Sequence, residues 1–411
     1  MRRLVLCALA ALLATTDAGS AAEAPLATDD AASARPWTRY RGWTDEKWPA
    51  FNTLAEPTRS PPAPPPGAEK VIEGAIAGDP EKGRQLAFDR RRGGSCVACH
   101  VMGPTTPELP GNVGPDLSEI GAAGRSDQQL YNQIWDSRVY NPQTVMPPWG
   151  AHGVFTDAEI RDIVAFLKTL TTPAVFKNAL DDPATRPAPV EDRDNLDPFI
   201  NPAMEAVEHA AALFKQEGPK GKACNICHGQ PEQAFKTWAA SMPRWEPRLN
   251  KVIGVEEFIT RHASATTGAA WPMQSRENTA LAIWLRHLAN GAPMAVDVTS
   301  PGAAEAAERG KQLMSVKLGQ LNFACLDCHQ IAANTWIRGQ WLGESKGQLP
   351  HFPTWRTSRN EIWDIRKRFQ WCGVAIRADE LPPDAKEYGD LELYLASLNT
   401  GLKLNAPGIR H

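Results

Sequence analysis

The chain has little excess charge and only one long apolar stretch. Its 44 lysine and arginine residues nearly balance 47 aspartate and glutamate residues, which gives a net charge of −3. Proteins that bind nucleic acid usually carry a basic stripe, so we expect no nucleic-acid partner. The apolar stretch, Leu4 to Ala14, falls well short of the ~20 residues that span a bilayer. We therefore expect no membrane anchor.

The first residues have the layout of a secretory signal peptide. Arg2 and Arg3 precede the apolar stretch, and small residues follow it, with plausible cleavage points after Ala22 and Ala24. This order of a positive region, an apolar region and small residues is typical of exported proteins. We assign residues 1–24 to the signal peptide and predict a periplasmic protein. Residues 25–67 then form a proline-rich extension whose function the sequence does not indicate.

Cysteine is scarce outside one repeated motif. The chain has 8 cysteines, and Cys7 lies in the predicted signal peptide. Six others belong to three copies of the frame C-x-x-C-H, which consist of Cys96, Cys99 and His100; Cys224, Cys227 and His228; and Cys325, Cys328 and His329. This leaves Cys372 without a disulfide partner. An odd cysteine in an exported protein suggests a reactive or ligating thiol.

The three frames indicate covalently bound haem. C-x-x-C-H is the attachment signal for haem c, in which both thiols bond to the porphyrin and the histidine ligates the iron. A C-x-x-C pair also serves zinc sites and redox dithiols, but three complete frames that end in histidine favour a multihaem cytochrome. The predicted cofactors are therefore three haem c groups, with His100, His228 and His329 as proximal ligands.

The frames divide the chain into three haem domains. We predict an all-α fold of three cytochrome c-like domains joined by linkers. The first domain covers residues 68–172, a charged and proline-containing linker covers residues 173–200, and the other two domains cover residues 201–297 and 298–405. The second and third domains have the same predicted plan of a helix, a haem frame and two later helices, which suggests an internal duplication.

The first domain shows the order of elements of a small cytochrome c. A predicted helix over Pro80 to Phe88 precedes the frame, and a closing helix begins at a capping box made by Thr156 and Glu159. Between them Met146 lies in a stiff proline loop, where it is the candidate distal ligand; a methionine–histidine iron has a raised potential. Met102 is too close to His100 in sequence to reach the opposite face of the haem.

The distal ligands of the other two haems are harder to assign. In the second domain His262, Met242 and Met273 are candidates that the sequence barely separates.

In the third domain no methionine follows His329, so His351 and Cys372 are the strong ligands that remain apart from the terminal histidine. Arg368 lies four residues before Cys372 and shares a helix face with it. Its guanidinium would stabilise a thiolate and offer a planar, bidentate site for an oxyanion.

These residues resemble a known family, the SoxAX cytochromes of bacterial thiosulfate oxidation. The third domain resembles the SoxA subunit in four segments: Gly319–His329, Ile337–Gly339, Phe352–Pro353 and Arg368–Cys372. The first domain, with its closing segment Asp162–Leu167, is similar to the SoxX subunit. The chain thus looks like a SoxX-like domain fused ahead of a dihaem SoxA-like pair of domains.

The resemblance implies a specific activity. SoxAX enzymes oxidatively join thiosulfate to a cysteine of a carrier protein, and the expected activity is that of an L-cysteine S-thiosulfotransferase. The family's axial cysteine, often a persulfide, matches Cys372, and its arginine four residues earlier matches Arg368. The implied partners are thiosulfate, a SoxYZ-like sulfur-carrier protein and a soluble cytochrome c. Electrons would pass from the third haem to the first.

One departure from the family pattern concerns the second haem. Dihaem SoxA proteins usually have a distal cysteine there, and this chain has none. The pattern around residues 257–261 aligns His262 with that position, so we predict a His228/His262 iron, with Met273 as the fallback.

Two other functions remain open at this point: a thiosulfate dehydrogenase that forms tetrathionate, and a multihaem cytochrome that only transfers electrons, for which Cys372 would be dispensable.

Overall fold

The computed structural model describes residues 23–28, 69–90, 95–104, 109–189, 195–378 and 380–410. Nearly all of the predicted signal peptide, including Cys7, and most of the proline-rich extension lie outside these residues. Within the described part of the chain, no helix combines the length and the apolar character needed to cross a membrane.

Helices are the main regular elements of the described residues. They are α1 (Pro80–Phe88), α2 (Asp127–Trp135), α3 (Asp157–Thr169), α4 (Met204–Leu213), α5 (Cys224–His228), α6 (Pro231–Ala234), α7 (Val255–Thr266), α8 (Arg276–Leu288), α9 (Pro301–Ser315), α10 (Ile365–Ala375) and α11 (Lys386–Leu398). Short strands join them: β1 (Arg244–Glu246), β2 (Lys251–Ile253), β3 (Trp336–Ile337), β4 (Gln340–Trp341), β5 (Thr354–Arg356), β6 (Glu361–Trp363) and β7 (Gly408–Arg410). The expectation of an all-α fold is therefore not confirmed, since these strands form small sheets.

The first module, α1 to α3, packs its first helix against its last. The side chain of Asp79 caps α1 by accepting from the backbone N–H groups of the first turn. Thr156 and Glu159 form the reciprocal capping box of α3 that the sequence predicts. The two helices approach so closely that a Cβ at Gly83 would lie 1.9 Å from the carbonyl oxygen of Asp162. Glycine is therefore needed at that crossing.

The second module (α4 to α8 with β1 and β2) and the third module (α9 to α11 with β3 to β7) follow one plan. In each, an antiparallel hairpin leads into a helix that carries a predicted distal ligand, and a further helix closes the module. The hairpins pair β1 with β2 and β5 with β6. Strand β7 adds to β5 in parallel and brings the C-terminal residues to the third module.

Buried ion pairs join the second and third modules. Arg366 at the start of α10 is fully buried and lies 3.0 Å from Glu257 of α7 and 2.8 Å from Glu392 of α11. Two carboxylates offset the cost of burying this cation. Arg366 is thus committed to holding α7, α10 and α11 together.

The first module packs directly against the third. Leu321 belongs to the first module's core, and Phe323 packs against it. His152 and Gln320 exchange two buried hydrogen bonds, in which the ring Nδ1 donates to the Gln320 carbonyl over 2.8 Å and the Gln320 side chain donates to the His152 carbonyl over 2.9 Å. The first module is therefore joined to the third, although the second module separates them in sequence.

Candidate functional site

In the first and third frames, one ring nitrogen of the histidine is fixed by a hydrogen bond to a backbone carbonyl. Nδ1 of His100 donates to the carbonyl of Pro115 over 2.7 Å, and Nδ1 of His329 donates to the carbonyl of Gly343 over 2.8 Å. Burial lowers the pKa of both imidazoles, so both rings are kept neutral. A neutral ring whose Nδ1–H is bonded to a carbonyl offers Nε2 to a metal. This donor set fits haem c.

The loop opposite the first frame is shaped around His100. A Cβ at Gly114 would lie 2.2 Å from Cε1 of the His100 ring, so only glycine fits there. Met146 and Cys96 both pack against the first module's core, and the Ser137 hydroxyl donates to the Met146 carbonyl over 3.0 Å. Met102, by contrast, is a core residue that is 2% exposed. Met146 as the distal ligand stays a prediction.

The second frame has its candidate distal ligand close by. The rings of His228 and His262 lie 5.7 Å apart, centre to centre, and Phe258 stacks on His262 at 5.1 Å. Burial lowers the pKa of His262 and of His228, so both are neutral as iron ligation requires. Met242 and Met273, the alternatives, are core side chains that are 0% and 1% exposed. The structure brings the predicted histidine pair together, and its ligation of iron stays a prediction.

Cys372 lies beside the third frame. Burial raises the pKa of Cys325 and of Cys328 to about 12, and in both cases the next cause is the neighbouring Cys372. All three sulfurs therefore share one buried region. Cys372 is positioned by α10, which continues to Ala375, so the thiol lies inside the helix rather than at its end.

A group of arginines surrounds this thiol. Arg368, one helical turn before Cys372, stacks on Trp371 at 4.7 Å, and its Nη1 is buried without a hydrogen-bond partner among the described residues. Burial lowers the pKa of Arg356 to about 9, and the nearby Arg368 guanidinium contributes to this shift. The Nε atom of Arg356 is also buried and has no hydrogen-bond partner among the described residues. Two more guanidinium groups that affect Arg356, those of Arg410 and Arg359, are nearby.

Such a cluster is unfavourable unless an anion joins it. Buried N–H donors without a partner cost about 1–3 kcal/mol each, and more when they carry charge. A bound oxyanion would satisfy the donors of Arg368 and Arg356 and offset their mutual repulsion. The donors beside Cys372 therefore fit an anion, and an anion site there stays a prediction.

The first frame and the loop after it contact the segment that follows the third frame. The backbone N–H of Arg338 donates to the carbonyl of Ala98 over 2.9 Å, and Trp336 exchanges hydrogen bonds of 3.0 and 2.8 Å with Asn112. The charge on Cys99 is among the causes that raise the pKa of Cys328, so these two thiols lie near each other. Groups attached at these frames would therefore be neighbours.

Two features of the site are not evident in the sequence as read from its motifs. Arg356 lies on β5, before the helix that carries Cys372, and no motif marks it. A comparison of the second and third modules would have drawn attention to Arg356, because the equivalent position of the second module holds Glu246, which has the opposite charge. The second feature is the segment Glu23–Thr28, which contacts the second module.

Family models and known proteins match the chain in two regions. Residues 209–294 match the SoxA/TsdA cytochrome c domain, and residues 80–167 match cbb3-type cytochrome c oxidase subunit III. Both are cytochrome c domains, which imply covalently bound haem c. Together they bear out the cytochrome c character of the fold, while the number of haem domains stays a prediction.

Among solved structures, the crystal structure of SoxXA from P. pantotrophus is 28% identical, with a TM-score of 0.49, over 52% of this chain and 80% of that one. A thiosulfate dehydrogenase (TsdBA) from Marichromatium purpuratum is 19% identical with a TM-score of 0.28, over 80% of this chain and 72% of that one.

Curated relatives match about half of the chain at higher identity. The L-cysteine S-thiosulfotransferase subunit SoxA of Pseudaminobacter salicylatoxidans is 32% identical over 52% of this chain and 75% of its own length. The SoxA subunit of Rhodovulum sulfidophilum is 30% identical over 53% of this chain and 75% of its own length. At this identity across three quarters of each relative, the chain belongs to the SoxA family of c-type cytochromes.

Proposed function

We propose that this protein is an L-cysteine S-thiosulfotransferase, which oxidatively joins thiosulfate to a cysteine of a carrier protein. The observation that carries the proposal is Cys372, which lies beside the third haem frame and near Arg368 and Arg356. The relatives named L-cysteine S-thiosulfotransferase subunit SoxA support the same activity.

The substrate fits the charge of the site. Thiosulfate is a compact dianion with oxygens at one end and a nucleophilic sulfur at the other. The unpartnered N–H groups of Arg368 and Arg356 would bind its oxygens. Arg368 is one helical turn from Cys372, so an anion held there directs its outer sulfur toward that thiol. Water is displaced by the same contact, which strengthens the charge–charge interaction.

The reaction balances in two steps. In the first, Cys372–SH and S₂O₃²⁻ form Cys372–S–S–SO₃⁻, releasing one proton and two electrons as the new sulfur–sulfur bond replaces the S–H bond. In the second, the carrier thiol attacks the sulfur bonded to Cys372. This produces the carrier S-thiosulfonate and returns Cys372 as a thiol, and no further oxidation is needed. A persulfide on Cys372, as the family resemblance implies, would extend the reacting group by one sulfur.

Haem c at the third frame would supply the acceptor for the electrons. The first frame is the exit that the geometry favours, because Ala98 and Asn112 beside it bond to Arg338 and Trp336 beside the third frame. Met146 as distal ligand would raise the potential of the first haem and make it the better acceptor. A soluble cytochrome c is the proposed final acceptor.

The remaining assignments complete the proposal. We retain three haems, a SoxX-like first domain within residues 68–172, a linker over residues 173–200, and two SoxA-like domains over residues 201–297 and 298–405. We also retain the periplasm as location and a SoxYZ-like carrier as partner. The second haem, between His228 and His262, is adjacent to neither Cys372 nor the anion site in this scheme and takes no part in sulfur chemistry.

The test is Cys372→Ala in the haem-loaded protein, assayed with thiosulfate, carrier protein and oxidised cytochrome. We expect turnover to fall by at least about 10³-fold, the order of loss when a nucleophile is removed. Undiminished turnover would show that Cys372 does not carry the catalysis. Tetrathionate as the main product without any carrier would instead identify a thiosulfate dehydrogenase.

A further inference from the structure

A short N-terminal segment lies across the second module at the position of His262. This segment, Glu23–Thr28, is called here the N-terminal strap. The carbonyl of Pro25 accepts a hydrogen bond from Nδ1 of His262 over 2.8 Å. The two residues are 237 positions apart, so the contact is a tertiary one. We propose that the strap is a positioning element that fixes the tautomer and the orientation of His262 toward His228.

The strap is anchored on both sides of Pro25. On one side, in a mature chain cleaved after Ala22, the Arg248 guanidinium donates to the carbonyl of Ala24 over 2.9 Å and lies 3.4 Å from the Glu23 carboxylate. On the other, Ala27 donates to the carbonyl of Arg261 over 3.2 Å and accepts from its guanidinium over 3.2 Å. The Pro25 carbonyl is therefore held between two fixed points.

An apolar side chain secures the strap between these polar anchors. Leu26 is partly buried and packs against the core of the second module. Two other residues of the strap, Pro25 and Thr28, are exposed. Removing Leu26 from this contact would release the strap without altering the core of the module.

The hydrogen bond has a chemical consequence for the histidine. Since a carbonyl can only accept, Nδ1 of His262 carries the proton and Nε2 is the nitrogen that can ligate iron. The ring is further held by Phe258, which stacks on it at an angle of 16°. A carbonyl bonded to Nδ1–H also makes the imidazole a stronger donor to a metal. The strap would thus strengthen ligation by His262.

This inference rests on the proposed role of His262 as the distal ligand of the second haem. It does not depend on the thiosulfate chemistry at Cys372, which the proposed function assigns to another module. Failure of the strap and failure of the thiosulfotransferase proposal are therefore separable. A protein without sulfur-transfer activity could still show the effect of the strap on the second haem.

The experiment compares Leu26→Asp with Thr28→Asp in the full, haem-loaded chain. Both variants add one negative charge to the strap, but only the first disturbs the docked side chain. The readout is the low-spin bis-histidine signal of the second haem in electron paramagnetic resonance during titration of the ferric protein with cyanide. For Leu26→Asp we expect half-loss of the signal at about 10-fold lower cyanide, the effect typical of losing a hydrogen bond to a metal-ligating histidine.

The outcomes separate the possibilities. A shift in Leu26→Asp alone supports the strap. Equal shifts in both variants, or none in either, would refute it, because the docked position would then be irrelevant to ligation. The absence of a bis-histidine signal in the unaltered protein would overturn the assignment of His262 itself and, with it, this inference.

Two measurements on the unaltered protein cover the case in which Leu26→Asp fails to load haem. The backbone N–H of Ala27 donates within the docked strap, so it should exchange slowly with deuterated solvent, and rapid exchange would contradict docking. Sequencing of the mature N-terminus should also find Pro25 present, as both predicted cleavage points allow. A mature chain that begins after Pro25 would refute the proposal.

Discussion

The second and third modules place the same elements around two different sets of residues. Their hairpins have matching registers, with Arg244 opposite Ile253 in one and Thr354 opposite Trp363 in the other. Both hairpins turn at an asparagine with positive φ, 51° at Asn250 and 52° at Asn360. Equivalent positions differ by 110 in number throughout this region.

The differences fall on the residues that carry chemistry. His262 of the second module stands where the third has Cys372, and Phe258 where the third has Arg368. Glu246, which pairs with Arg248 at 2.6 Å, stands in place of Arg356. One module therefore presents a neutral, aromatic surface to its frame, while the other presents a thiol and cations with unsatisfied donors. The shared scaffold sets where these side chains lie, and in the proposed function the three differences determine whether an anion can react there.

The largest effect that we expect concerns a fourth difference, Arg366, which stands where the second module has Glu256. Arg366→Met would leave Glu392 buried without its near cation, while Glu257 keeps two other cations. Breaking such a pair costs about 3–5 kcal/mol of the free energy of unfolding. Denaturant unfolding would measure it, with Lys168→Met, which removes an exposed ion pair to Asp127, as the control at about 0–1 kcal/mol. Equal losses in both variants would show that the buried network is not what joins the modules.

Exchanging one residue between modules tests the anion site. Arg368→Phe places the second module's residue in the third and removes a buried guanidinium donor. We expect the KM for thiosulfate to rise by about 100-fold, as for loss of a charge-assisted contact. Steady-state kinetics would measure it, and Phe258→Leu in the second module should leave KM unchanged. If Arg368→Phe altered kcat alone, Arg368 would not bind the substrate in its ground state.

A smaller effect is expected at Arg356, which lies on β5 and not on the helix that carries the thiol. Arg356→Gln keeps a donor but removes the charge, and we expect KM to rise by about 10-fold. Raised ionic strength should weaken thiosulfate binding less in this variant than in the unaltered protein, since part of the attraction has been removed. The same salt dependence in both proteins would argue that Arg356 has no electrostatic role.

The smallest effect concerns Glu256 and is a dependence on pH. Burial raises the pKa of Glu256 to about 7, above its ordinary value of 4.5, and the charge of Asp364 adds to this. The folded protein therefore holds a proton that the unfolded chain releases between these values, so the contribution to stability falls as pH rises through that window. Glu256→Gln should remove the dependence and raise the free energy of unfolding at pH 8. Parallel stability–pH curves for the two proteins would contradict a raised pKa.

Local signals made part of this fold predictable. The bounds of α1 and the capping box of α3 were readable because a cap and its partner are three residues apart. The start of α10 was not predictable in this way, because the residues just before it are not helical. Residues 361–363 pair with β5 instead, and α10 begins only after Asp364 caps it by accepting from Lys367 over 2.7 Å. Pairing with a distant strand overrides local helix preference there.

The candidate site was predictable where its residues share one helix. Arg368 and Cys372 could be related by helical spacing alone. Arg356, the contact between the first and third frames and the Pro25–His262 hydrogen bond each join segments that are far apart in sequence. No local pattern encodes such contacts, which depend on how the modules pack.

The most direct test of the account is to trap the sulfur intermediate. The oxidised, haem-loaded protein would be incubated with thiosulfate in the absence of carrier protein, so that transfer from Cys372 cannot follow. Peptide mass spectrometry should then find the thiosulfonate on the peptide that contains Cys372, together with reduction of the haems. An unmodified Cys372 in a protein that still turns over with carrier present would contradict the assignment of the chemistry to the third module.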